Sequence, residues 1–395
     1  MRKATRQQLR FHNKHLVLKT IYHNDKISRA DIARLIGLTR TTVSELVSNL
    51  IKERLVKEVG HGKSHGGKAP ILLSLDENSH YLIGVDLADS EFRGAVVNLR
   101  GEIKHRLCLP INNQRGEMAL GLVYQLIDKL INLADNTIAG IGIGTPGLLD
   151  IRRGMVLNAV NLGWQRLPLG DLLKDRYKLP VYISNDSQAA ALAEFTFGEN
   201  KNIPNLIVIK IGRGTGAGIV LNRQLYFGDG FGAGEIGHVV VSDNGELCQC
   251  GNRGCLETVT NSRFILKRAR EIFNNNPDSL LNRFASSPDE INIDVVSKAL
   301  ESRDEKVRLL ISEVGHYLAI AVANLIGALN IQRVVIAGTL TRLGPALLEP
   351  IRQEVQRLSF KALAEQTSIE ISKLGPDIVV LGAAALVLNN ELGLP

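Results

Sequence analysis

The spacing of apolar residues along the chain changes at about Asp76. Before it, the period is helical. In "ISRADIARLIGLTRTTVSELVSNLIKERLV" (residues 27–56), Val43, Leu46, Val47, Leu50 and Ile51 fall at i, i+3, i+4, i+7 and i+8, one face of a helix. Ser28 with Asp31 resembles a capping box, and Ile32, Ala33 and Leu35 lead to Gly37, which can supply a left-handed stop. Thr39 can cap the next helix. An earlier helix, roughly residues 14–22, is expected to cover the apolar side. Then "LVKEVGHGKSHGGKAPILLSL" places apolar stretches at 55–59 and 71–75 around a glycine-rich basic loop, a β-hairpin with a long tip.

After Asp76 the pattern is that of strands. "YLIGVDLADSEFRGAVVNLRGE" reads as strand, polar tip, strand and turn, and "NLIVIKIGRGTGAGIVLNRQLY" repeats the plan 124 residues later. Without gaps, Leu82 matches Leu206, Val85 matches Ile209, Gly94 matches Gly218, Val96 matches Val220 and Asn98 matches Asn222. Such a repeat implies two related lobes. Further apolar strands ("IAGIGIG", "LPVYIS", "RVVIAG") alternate with helical stretches, an α/β pattern. The tips differ. "GRGTGAG" could let backbone N–H groups approach an anion. "DLADSEF" has Asp86, Asp89 and Glu91 with a bulky Phe92, poorly suited to a polyphosphate.

Charge adds a partner to this picture. Residues 1–75 carry 15 Lys/Arg against 5 Asp/Glu, while the other 320 carry 32 against 35. A basic head on a slightly acidic body is expected to meet a polyanion. The helix opposite face offers Thr39, Arg40, Thr41, Thr42, Ser44, Glu45 and Ser48, which suits entry into a major groove. The hairpin is then a wing, with Lys63, Lys68, His61 and His65 within reach of phosphates or a minor groove. The start of the chain lacks an apolar run after its charges, and no stretch approaches the ~20 apolar residues of a membrane span. A cytoplasmic protein without a membrane partner is expected.

Three of four cysteines lie within eight residues, in "GHVVVSDNGELCQCGNRGCLE". A disulfide, a metal site and a reactive thiol are the candidate explanations; a reducing compartment weakens the first. Cys108, in "HRLCLP", reads as a core thiol.

Two α/β lobes that each begin with a hairpin resemble the actin-like, duplicated ribonuclease H-like sugar-kinase architecture. Five motifs make the resemblance specific: "GIGTPG" (142–147), "NLGW" (161–164), "NDSQAAALAE" (185–194), "GEIGH" (234–238) and "CQCGNRGCLE" (248–257). With these, residues 76–395 resemble the ROK family (repressor, open reading frame, kinase). With the winged helix-turn-helix, the whole chain resembles its transcriptional repressors. The implied organisation is a DNA-binding domain at 1–75, a first lobe at 76–200 completed by 376–395, and a second lobe at 201–375.

The resemblance also implies a site. His238, Cys248, Cys250 and Cys255, spaced H-x9-C-x-C-x4-C, match the family's structural zinc site and form the Cys₃His set that Zn²⁺ prefers. Gly147, Asn161, Asn185, Asp186, Glu235, His238 and Glu257 would contact a sugar or sugar phosphate. Asp186 stands at the kinases' catalytic base, yet "LADSEF" replaces their Gly-Gly-Thr-Lys-like turn and "IAGTL" (336–340) their paired glycines. Gln188 stands where the family commonly has Asn. The expected function is a sugar-released repressor of sugar-utilisation genes. It would not be an enzyme, and it would bind operator DNA as a homodimer or dimer of dimers. The alternatives are a sugar kinase with a fused DNA-binding head, disfavoured by the first tip, and a repressor controlled by a protein partner.

Overall fold

The computed structural model describes residues 5–63, 69–87, 90–199 and 203–394; His65, Lys68 and Asp89 lie outside them. Helix α1 spans Arg6–His23 and starts well before residue 14. The cause is a reciprocal cap: Thr5 Oγ1 accepts from Gln8 N–H at 3.2 Å, and the Gln8 side chain accepts from Thr5 N–H at 2.8 Å. A cap of this kind starts a helix without apolar spacing. Strand β1 (Ile27–Ser28) follows, then α2 (Arg29–Ile36) and α3 (Arg40–Lys52). Strands β2 (Val56–His61) and β3 (Ile71–Leu75) pair antiparallel, and β1 adds a third strand beyond β3. Ser28 and Thr39 cap α2 and α3, and Gly37 is left-handed at φ +69°. The Ser28 hydroxyl also donates to Asp31 Oδ2 at 2.7 Å, so that bond runs side chain to side chain.

The head does not hang free. Val17, Leu18, Ile21, Val43, Leu46 and Leu50 share one buried cluster with Leu82, Ala95, Leu99 and Leu394 of the body. Arg100 Nη1 donates to the Tyr22 carbonyl at 2.7 Å, and its guanidinium lies 4.5 Å above the Tyr22 ring.

The body opens with β4 (His80–Asp86), β5 (Glu91–Asn98), β6 (Ile103–Pro110), α4 (Glu117–Leu133) and β7 (Thr137–Thr145). A small antiparallel sheet of β8 (Leu148–Asp150), β9 (Met155–Ala159) and β10 (Trp164–Leu167) follows. Next come α5 (Leu169–Tyr177), β11 (Val181–Asn185) and α6 (Asp186–Phe197). The second half holds β12 (Leu206–Ile211), β13 (Thr215–Leu221), β14 (Gln224–Tyr226), α7 (Leu256–Thr260), α8 (Ser262–Asn275), α9 (Leu281–Phe284) and α10 (Ile293–Glu301). It ends with α11 (Glu305–Leu329), β15 (Arg333–Ala337), α12 (Pro345–Leu358), α13 (Lys361–Ala364), β16 (Ser368–Ile371) and α14 (Ile378–Leu392).

The two large sheets have one topology: β6-β5-β4-β7-β11 and β14-β13-β12-β15-β16, each an antiparallel meander followed by two parallel strands. This is the duplicated actin-like fold. Helices α6 and α14 pack together between the sheets, with Gly382 so close to α6 that a Cβ would sit 1.8 Å from the Ala189 carbonyl oxygen. Helix α11 is long and apolar enough to cross a membrane by length and composition, but its apolar face, from Val307 to Ile326, fills the second core.

Three sequence expectations change. The hairpins match residue for residue, but Val85 pairs with Gly94 whereas Ile209 pairs with Ala217, so the second ladder is offset by one. Phe92 is fully buried in the first core and takes no part in the tip. Cys108 is exposed. It lies on edge strand β6, where Leu107 and Leu109 pack inward and the alternate positions face out.

Candidate functional site

Between the two large sheets lies a cavity of about 390 Å³. All seven sugar-site candidates line it: Gly147, Asn161, Asn185, Asp186, Glu235, His238 and Glu257. They arrive from separate elements. Gly147 follows β7 at φ +93°, where a Cβ would meet the Asn158 carbonyl oxygen at 2.1 Å, so only glycine fits. Asn185 ends β11 and caps α6, its Oδ1 accepting from Ser187 N–H at 2.8 Å and its Nδ2 donating to the Gly147 carbonyl at 3.2 Å. Asn161 accepts from Arg263 Nη2 of α8 at 3.3 Å, a bond that spans the cleft. Glu257, in the first turn of α7, accepts from Thr215 N–H at 3.0 Å.

Asp186 is buried. Its Oδ1 accepts from Ser187 N–H at 2.8 Å, and its Oδ2 holds Lys210 Nζ at 2.8 Å. Lys210, Ser187, Thr215 and Gln249 also line the cavity, and the sequence reading missed them. For Lys210 a signal existed: it is the one charged residue in the buried strand "LIVIKI". Glu235 lies near two other carboxylates. Loss of water, then the nearby charges of Asp186 and Glu257, raise its pKa to about 7.

In the glycine-rich second tip, two of the glycines serve packing. A Cβ at Gly216 would meet Ser187 Oγ at 2.5 Å, and one at Gly218 the Ser187 carbonyl oxygen at 2.3 Å. These glycines let α6 pack onto β13. Thr215 N–H is taken by Glu257, and Gly212 N–H by the Gly214 carbonyl at 2.9 Å. In the first tip, Glu91 is paired with Arg93 at 2.8 Å.

His238, Cys248, Cys250 and Cys255 bring their ligand atoms within 4.8 Å of one another, a cluster able to hold a metal ion. Cys248 Sγ lies 3.5 Å from His238 Nδ1, and Cys250 Sγ lies 3.6 Å from Cys255 Sγ. The other ring nitrogen, Nε2, faces Glu235 at 3.8 Å. His238 and Cys250 both line the cavity, so the cluster borders it directly. Burial pushes the Cys255 thiol up to about 12, so the three sulfurs could all be thiolates only with a cation among them.

In the head, Thr39, Arg40, Thr41, Ser44 and Lys63 are exposed. Thr42 is half-buried, and its hydroxyl bonds to that of Thr39 at 2.9 Å, which makes it part of the cap. Glu45, on the same helix, is held by Arg10 of α1 at 2.7 Å. Lys68 lies outside the described residues.

Fold and site together define a DNA-binding head on a sugar-kinase-type body. The ROK family profile matches residues 82–390, and the profile for winged helix-turn-helix DNA-binding matches residues 11–57. The chain is 37% identical over 390 residues to a xylose repressor from Caldicellulosiruptor bescii, covering 97% of each. Its fold matches the crystal structure of a ROK family transcriptional regulator, a homologue of the Escherichia coli MLC protein. The TM-score is 0.83 at 26% identity, over 97% of this chain and 98% of that one. A ROK family glucokinase from Streptomyces griseus, solved with glucose and AMPPNP, matches with TM-score 0.73 at 27% identity, over 78% of this chain and 98% of its own. The chain belongs to the ROK family, and within it to the transcriptional repressors rather than the kinases.

Proposed function

We propose that the cavity binds a sugar effector, and that binding releases the head from operator DNA at sugar-utilisation genes. One observation carries this reading: seven residues from five separate motifs line a single cavity, and one of them, His238, is shared with the Cys₃His cluster. Carboxylates and amides around a small cavity suit a polyhydroxylated ligand, because each hydroxyl both donates and accepts. The residues Thr39, Arg40, Thr41, Ser44, Lys63 and Lys68 would contact DNA, with Thr42 holding the cap of α3.

The ion that suits the cluster is Zn²⁺. Tetrahedral zinc, with Zn–S about 2.3 Å and Zn–N about 2.0–2.1 Å, sets S···S near 3.8 Å and S···N near 3.6 Å. The observed 3.6 and 3.5 Å are close to these. Bound there, zinc would fix the His238 tautomer and leave Nε2 to a sugar hydroxyl. The working units would be residues 1–75, a lobe of 76–200 with 376–395, and a lobe of 201–375. A pair of heads in a homodimer or dimer of dimers would read paired half-sites in the cytoplasm.

The test is operator release on purified protein. A sugar should release operator without turnover in an ADP-release assay. Asp186→Asn should raise the sugar concentration needed by about ten- to hundredfold, because a hydrogen bond to a charged group is lost. Steady ADP release that disappears in Asp186→Asn would instead make the protein a kinase.

A further inference from the structure

Helix α3 turns Val43, Leu46, Val47 and Leu50 into the core of the head. Thr41, Ser44, Glu45 and Ser48, at i, i+3, i+4 and i+7, line its opposite, exposed side. A helix lying in a major groove presents residues at that spacing to base edges. Three of the four are short hydroxyl side chains, and Ser48 Oγ is turned back onto the Ser44 carbonyl at 2.8 Å. Glu45 is the longest of the four and the one that carries charge. On a surface that meets a polyanion, a bare carboxylate is repelled.

Glu45 is not bare. Arg10 of α1 donates through Nη2 to its Oε1 at 2.7 Å, with the two side chains 63% and 62% exposed. An ion pair this open adds little to stability. Nor does α1 need it as a seat: Val17, Leu18 and Ile21 share a buried core with Val43, Leu46 and Leu50, and Lys14 pairs with Glu53 at 2.7 Å. What the pair does is fix the direction of a carboxylate on the outward face of α3. Arg10 lies in the part of α1 that the Thr5 cap adds ahead of residue 14, so the cap brings the arginine to α3. The bond uses one carboxylate oxygen and one guanidinium nitrogen. Oε2 is left to accept, and a guanidinium has further N–H donors for a phosphate.

We infer that Glu45 reads a base and that α1 belongs to the DNA interface: Glu45 accepts from the exocyclic amino group of a cytosine in the major groove, while Arg10 holds that carboxylate and bonds a backbone phosphate. A carboxylate suits cytosine, whose major-groove edge offers the N4 donor, and is repelled by the O4 acceptor of thymine. The phosphate contact offsets the negative charge that Glu45 brings into the groove. Glu45 is then a specificity residue and Arg10 a positioning residue. The inference rests on operator binding by the head, and adds to it a base-reading side chain and a second helix.

The experiment uses the full-length protein and DNA duplexes of random sequence. The wild type selects a site from them, and each position of that site is then replaced by the other three base pairs. One C·G pair in the site should resist replacement by T·A, with affinity falling about five- to a hundredfold. Glu45→Ala should flatten the preference at that pair and leave the other positions as they were. Glu45→Gln should move it toward A·T, since a carboxamide matches the adenine edge. Arg10→Met should weaken the preference at the same pair and lower the salt slope by about one, from the lost phosphate contact. Thermal melting checks that each variant is folded; if Glu45→Ala is not, the isosteric Glu45→Gln carries the test. Base preferences that stay unchanged in the folded Glu45 variants overturn the inference, and so does a loss of affinity that is uniform across all sequences. An Arg10→Met protein with the same preference and the same salt slope removes α1 from the interface. A wild type that selects no site rejects operator binding itself, and this inference with it.

Discussion

Gly147 is held at φ +93° with the Asn158 carbonyl oxygen 2.1 Å from where a Cβ would lie. Gly147→Ala must shift β9 or abandon that backbone conformation. The expected outcome is a loss of about 1–3 kcal/mol of stability, with a weaker sugar response because Asn185 Nδ2 bonds to the Gly147 carbonyl. Thermal melting with and without sugar checks both. Cys250→Ser removes one of the four groups that could hold the proposed ion. The expected result is loss of bound zinc by metal analysis, from about one per chain, together with a weaker sugar response as His238 loses its anchor. A Cys250→Ser protein with full zinc and full response would show that the cluster does something else. At this scale the chemistry-bearing residues were legible because their types are restricted: three cysteines and a histidine, and glycines in turns. Lys210 was harder to see. Its meaning depends on the burial of β12 and on Asp186 from a different element, and neither is visible in a linear spacing.

Elements were legible where a cap or an apolar period marked them. Helices α2 and α3 have both, so Ser28, Gly37 and Thr39 stand where the sequence placed them. The start of α1 was missed because it depends on a polar cap, Thr5 with Gln8, ahead of the apolar face. The offset of the second hairpin was also hidden, since register is a relation between strands. The same head sets the DNA predictions. Arg40 stands exposed at the first turn of α3, and Arg40→Ala should cut operator preference over random DNA by about 1–3 kcal/mol. Lys63, on the wing, should matter for all DNA alike. Lys63→Ala should weaken specific and non-specific binding together and lower the salt slope by about one. Titrations at several salt concentrations separate the two. Point variants suit this better than removal of residues 1–75, because the head and body share a core that truncation would expose.

For the whole molecule, the question is how a ligand between the sheets could reach a head outside them, and α1 sits where both halves can act on it. On one side, Arg100, in the β5–β6 turn, donates to the Tyr22 carbonyl and covers its ring. On the other, Lys19 lies near Arg223 in the β13–β14 turn; burial first, and then that arginine, lower its pKa. At the helix's flank, Gly393, just past α14, packs against His15, whose ring would meet a Cβ there at 2.6 Å. A change in the angle between the sheets must alter at least one of these contacts, and with it the seat of the head. Arg100→Ala should therefore leave sugar and operator each able to bind while weakening their influence on one another. Allosteric coupling is commonly about 1–3 kcal/mol, and it is reciprocal. The variant should lose the same factor whether operator affinity is measured with and without saturating sugar, or sugar affinity with and without operator. If Arg100→Ala keeps the full coupling in both directions, the route to the head does not pass through the Tyr22 contact, and the Arg223 and His15 contacts become the ones to break.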